Sequence, residues 1–182
     1  MSKKISKHKF KCKCVGCASG LDGEAMKAHV NKQVAAKVAE FGYTLMMLGG
    51  YDHLPTHCYT IGLFETTGHP DLILAGFPLE LMYGLLHDVA KKVQAGETFM
   101  PGTKSDDILV GFPVAFDKLP RTNVPNRVGA LHYYYASKGL ESYKLAQMFL
   151  PDPNSLFPWD RGCDAEYKSV QQKLWANAGA SH

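Results

Sequence analysis

Three thiols fall within six residues of this chain, in the pattern Cys12-x-Cys14-x-x-Cys17. Thiolates hold Zn²⁺ in a tetrahedron, and a Cys-x-x-Cys turn lets two sulfurs converge on one ion. Cys12, Cys14 and Cys17 can supply three ligands, with His8, His57 or Cys58 as a fourth. No second cysteine pair stands at a matching spacing, so zinc competes here with reduced, unligated thiols. A thioredoxin-like role fits less well, because the pair precedes a helix outside any βαβ context. The five cysteines are an odd number, and no apolar leader follows the N-terminal lysines. Both points argue against a disulfide framework and for a cytoplasmic setting.

Eight histidines offer a second kind of chemistry. His57 adjoins Cys58, but neighbours on a strand point to opposite faces, so they do not make a nucleophile–base pair there. His69-Pro70-Asp71 lies in a turn between two expected strands, where polar groups can be presented from a rigid base. His69 with Asp71 or Asp160 is the acid/base set a small hydrolase or transferase would use. The competing reading is turn chemistry, with Pro70 fixing φ and Asp71 accepting backbone N–H groups. Phe157-Pro158-Trp159-Asp160 can form an aromatic wall for a planar ligand, with Asp160 and Arg161 as polar anchors. It can equally lock the C-terminal helix onto a sheet. The run Tyr133-Tyr134-Tyr135 cannot be buried on a single face, so one or two phenols are expected outside the core.

Other chemistries are unsupported. The chain has no G-x-G-x-x-G, no G-x-x-x-x-G-K-[ST], no G-x-S-x-G and no H-E-x-x-H. Phosphate-loop, serine-hydrolase and zincin mechanisms therefore find no footing. Charge is uneven along the chain. Lys3, Lys4, Lys7, Lys9, Lys11 and Lys13 form a basic arm without an acid, leaving 14 basic against 17 acidic residues beyond it. Such an arm can dock on nucleic acid or an acidic partner, or remain a solvated tail. No apolar run approaches the ~18 residues that span a bilayer, so no membrane partner is expected.

The elements that must position these residues follow from periodicity. With 182 residues and 46% hydrophobic content, one domain with a sizeable core is expected. We divide the chain into an arm (1–20), a globular domain (21–176) and a frayed tail (177–182). Met26, Val30, Val34, Val38 and Phe41 recur at helical spacing, and Gly42 can cap that helix in the αL conformation. Residues 43–48, 58–63 and 72–75 read as strands too close together for crossover helices, hence antiparallel. Pro78 opens a second helix with the stripe Met82, Leu85, Leu86, Val89 and Val93, closed by Gly96. Residues 97–107 read as a polar loop. Residues 108–116 form a strand interrupted at Gly111 and Pro113, suited to an edge or bulge. Residues 128–137 are a helix or an extended segment, with helix preferred. Residues 143–150 are a strand, and 165–175 a closing helix. The expected class is α+β, a mostly antiparallel sheet of about five strands with three to four helices packed on it.

Several segments, taken in order, resemble the bacterial family called domain of unknown function 4262. They are Tyr59-Thr60-Ile61-Gly62-Leu63 with Gly68-His69-Pro70-Asp71-Leu72, then Gly76-Phe77-Pro78 leading into Leu85-Leu86-His87-Asp88-Val89-Ala90. Gln147-Met148-Phe149-Leu150-Pro151-Asp152, Phe157-Pro158-Trp159-Asp160 and Gln171-Gln172 follow. Asp71 and His87 stand where the family usually has Glu and Asn. Cys14-x-x-Cys17 sits where many members carry a Cys-x-x-Cys, and Cys12 is an addition. The resemblance covers about residues 14–175. It implies one domain and points to residues, without implying a reaction.

Three functions are therefore expected to compete. The first is a small-ligand-binding or regulatory domain with a pocket formed by Tyr59, Thr60, Gln147, Phe157 and Trp159, and an accessory zinc at Cys12, Cys14 and Cys17. The second is an enzyme using His69 with Asp71 or Asp160. The third is an interaction module docking through the Lys3–Lys13 arm.

Overall fold

The computed structural model describes residues 23–49, 55–119 and 128–171. The lysine arm, Cys12, Cys14 and Cys17 lie outside the described residues.

The first helix, α1 (Gly23–Phe41), ends where expected. Gly42 takes φ +80° and its amide bonds the Val38 carbonyl at 2.8 Å, closing the helix by an αL cap. Strand β1 (Thr44–Leu48) follows, then β2 (His57–Ile61). A single helical turn, α2 (Leu63–Thr67), leads to β3 (Asp71–Ala75). Helix α3 (Leu79–Gln94) buries Met82, Leu85, Leu86, Val89 and Val93, the stripe read from its 3.6-residue period. Next come β4 (Lys104–Leu109), β5 (Phe112–Lys118), α4 (Gly129–Ser137), β6 (Leu145–Phe149) and α5 (Ala165–Val170).

Six strands make one sheet in the order β1-β2-β3-β6-β5-β4. Only β3 and β6 pair in parallel; the other pairings are antiparallel. The fold is thus α+β with a mostly antiparallel sheet, one strand richer than expected. The extra strand comes from residues 104–118. Gly111, at φ +79°, reverses the chain between Leu109 and Phe112, so the stretch read as one strand is a hairpin. Its first arm was hidden because β4 lies at the sheet edge. Its polar residues stay solvated there and show no apolar alternation.

Helices cover both faces. On one face, α3 packs over Cys58, Leu72, Leu74, Ala146 and Met148. On the other, α1 and α4 pack over Tyr59, Ile61, Ile73, Ala75 and Leu145. The alternation of strand side chains explains the split, and burial on both faces explains the unbroken apolarity of β3. Alternation also puts Phe149 and Ala115 on the α1/α4 face, where they hold Phe157 in a separate small cluster. Among the described residues no helix is long and apolar enough to cross a membrane.

Candidate functional site

The turn between α2 and β3 positions His69 and Asp71. Asp71 is fully buried and accepts from the Thr60 hydroxyl (2.8 Å), the Leu63 amide (3.1 Å) and the Tyr135 hydroxyl (2.5 Å). Tyr135 in turn accepts from the Gly62 amide at 3.2 Å. Burial without a neighbouring cation pushes the Asp71 carboxyl up to about 6, although its hydrogen bonds pull the other way. The carboxyl therefore ties β2, α2 and α4 together at one point. Tyr135 was not anticipated as its partner; nothing local in sequence connects residues 64 positions apart.

His69 is equally occupied. Its Nε2 accepts from the Phe99 amide at 3.0 Å, which leaves the ring proton on Nδ1 for the Pro70 carbonyl at 2.7 Å. Burial lowers its pKa. Both ring nitrogens are thus engaged by backbone. The third acid/base candidate, Asp160, accepts from the Phe157 amide at 2.8 Å and closes its own turn. His69 and Asp71 share a turn, while Asp160 belongs to the separate loop after β6. Cys58 is buried under α3 and its thiol is pushed up to about 12, so it is no nucleophile at neutral pH. His57 stacks on Tyr59 on the opposite face, as strand alternation requires.

The residues expected to bind a ligand separate into three places. Thr60 belongs to the Asp71 cluster. Tyr59 and Gln147 lie in one cross-strand row, each opposite Ile73, two strands or roughly 10 Å apart. Phe157 and Trp159 stack at 5.1 Å with 6° between ring planes, and Trp159 also meets the edge of Phe149. The loop carrying them is fixed by Asp152, whose carboxylate accepts from the amides of Asn154, Leu156 and Asp164.

Tyr59 reaches a cleft. It lies with Met46 and Leu48 on the floor of a concavity of about 520 Å³ between α1 and α4. Met26, Val30 and Asn31 form the α1 wall; Gly129, Ala130, His132 and Tyr133 form the α4 wall. The Asn31 Nδ2 donates to Ser137 Oγ at 3.1 Å. That hydroxyl spends its own proton on the Tyr134 carbonyl at 2.7 Å, which fixes the orientation of the amide. Asn31 Oδ1 then remains, a buried acceptor with no hydrogen-bond partner among the described residues. Apolar walls with one uncommitted buried acceptor are the usual makeup of a small-molecule site. A helical asparagine beside an apolar stripe was the sequence signal, and it was overlooked. The second cleft, about 450 Å³, lies between α1 and α3 and includes Tyr43, Tyr83 and His87. Neither cleft takes residues from the Phe157–Asp160 loop.

Among the described residues no three His, Cys, Asp or Glu side chains converge as a metal site would need. The family model described as Domain of unknown function (DUF4262) matches residues 37–164. The match begins in the last turn and a half of α1 and ends just before α5, so Cys12, Cys14, Cys17 and most of α1, Asn31 included, lie outside it. No curated protein and no solved structure matches the chain.

Proposed function

The chain belongs to the family called domain of unknown function (DUF4262), and on that premise we propose that it is a small-ligand-binding domain. Its ligand occupies the cleft between α1 and α4, above Tyr59. The observation that carries this reading is the apolar cleft with Asn31 in its wall, whose Oδ1 is buried and has no hydrogen-bond partner among the described residues. Leaving a buried acceptor unsatisfied costs about 1–3 kcal/mol, and a ligand N–H or O–H removes that cost once the Asn31 side chain turns its Oδ1 into the cleft. The cleft suits a small, mostly apolar molecule with one hydrogen-bond donor. An accessory zinc at Cys12, Cys14 and Cys17 belongs to the same reading and rests on thiol spacing alone.

The acid/base alternative with His69, Asp71 and Asp160 is the weaker one, because each group already serves the fold. A titration with the neutral fluorophore N-phenyl-1-naphthylamine tests the cleft. Saturable binding by the wild type that Ala130→Trp abolishes is the expected outcome, since the indole fills the concavity. Equal binding by both proteins would overturn the proposal, provided circular dichroism shows the variant folded.

A further inference from the structure

The seam between α1 and α3 carries an unexplained combination of groups. Lys37 and Lys91 reach it from the two helices, and neither forms an ion pair among the described residues. Phe41 and Tyr83 line it while 57% and 42% exposed. The Phe41 exposure is against expectation, because its spacing places it on the buried stripe of α1. The Tyr83 ring lies 6.0 Å from the His87 ring with 9° between their planes. His87 Nδ1 is 2.7 Å from the buried Tyr43 hydroxyl. Two carbonyls at the C-terminal end of α1 are engaged: Phe41 by Gln94 Nε2 at 2.6 Å and Gly42, just past the helix, by the Thr66 hydroxyl at 2.9 Å.

We infer that this 450 Å³ cleft is a second ligand site, for a planar aromatic anion. Tyr83 with His87, and Phe41, supply flat apolar surface for the ring, and stacked aromatic contacts of this kind add about 0.5–1.5 kcal/mol beyond area. Lys37 and Lys91 supply the charge for a carboxylate, sulfonate or phosphate, and among the described residues no acidic side chain lines the cleft. The site differs from the α1–α4 cleft in both place and chemistry. That first cleft is lined chiefly by apolar groups, and Lys27 in its lining is paired with Glu24 at 2.7 Å.

The test uses 1-anilinonaphthalene-8-sulfonate as the aromatic anion, titrated by fluorescence at low and high salt. The full-length wild type is compared with a Lys37→Gln/Lys91→Gln variant and with Ala130→Trp. Both lysines are exposed, so their replacement leaves the fold intact. The expected result is about a tenfold or greater loss of affinity in the double lysine variant, a similar trend on adding salt, and unchanged affinity in Ala130→Trp. Unchanged affinity in the lysine variant, or loss of binding in Ala130→Trp, would overturn the inference. The second outcome would assign the probe to the α1–α4 cleft and leave the proposal for that cleft standing.

Discussion

Asp71 sits at the junction of β2, α2 and α4, bonded by Thr60, Leu63 and Tyr135 with no cation beside it among the described residues, and its ionisation works against the fold. Its carboxyl ionises near 3.8 when unfolded and near 6 when folded. Below pH 4 both states are protonated and nothing is lost. Between pH 4 and 6 the unfolded chain ionises first, so stability falls, levelling off about 3 kcal/mol lower above pH 6. His69, with its lowered pKa, has the opposite sign and loses stability on acidification. That contribution cancels when the wild type is compared with Asp71→Asn. Urea unfolding from pH 4 to 7 should show the wild type losing ground against Asp71→Asn by up to about 3 kcal/mol. A difference constant with pH would refute the raised carboxyl. Asp71→Ala orphans three buried donors at once and should cost about 3–5 kcal/mol at any pH. Turn chemistry at His69-Pro70-Asp71 was one of two readings the sequence left open, and the Leu63 amide on Asp71 is a backbone donor of the kind it called for. The tyrosine hydroxyl that completes the Asp71 cluster comes from α4 and was not.

At the scale of elements, the segments that resemble the family serve as joints. Gly62 and Gly76 both need positive φ and both meet a neighbour closely. A Cβ on Gly76 would lie 2.2 Å from the Val170 carbonyl oxygen of α5, a backbone atom that cannot swing aside. Gly76→Ala should therefore cost more than about 2 kcal/mol and loosen α5, measurable as faster amide exchange there. Gln171, the next residue, pins the same end of that helix, bonding the Leu150 amide at 2.8 Å and carbonyl at 2.7 Å. Gln171→Ala leaves both groups buried and unpaired, and a loss of about 1–3 kcal/mol is expected in the same experiment. Helices α1 and α3 were legible because their caps and apolar periods agree. Strand β4 was not, because an edge strand carries polar residues that resemble a loop. The single turn α2 was missed because five residues are too few to show a period.

At the scale of the molecule, two clefts among the described residues flank α1, one on each side. The stripe on that helix was read as a continuous buried face from Met26 to Phe41. Only Val34 and Val38 are buried; Met26 and Val30 line one cleft and Phe41 the other. Sequence patterning thus failed at the positions where the fold leaves room, which is where function is expected to override packing. The expected pocket residues were legible as chemical types, but strand order set their distances. Tyr59 faces the cleft, while Phe157 and Trp159 pack over Phe149 on the β6 side of the sheet. The most direct measurement of the central claim is an amide-shift map of ¹⁵N-labelled protein titrated with N-phenyl-1-naphthylamine. The account predicts that the Asn31 side-chain amide and the backbone amides of Val30, Tyr59, Ala130 and His132 move together and saturate together. Shifts confined to other surfaces, or none at saturating probe, would contradict it.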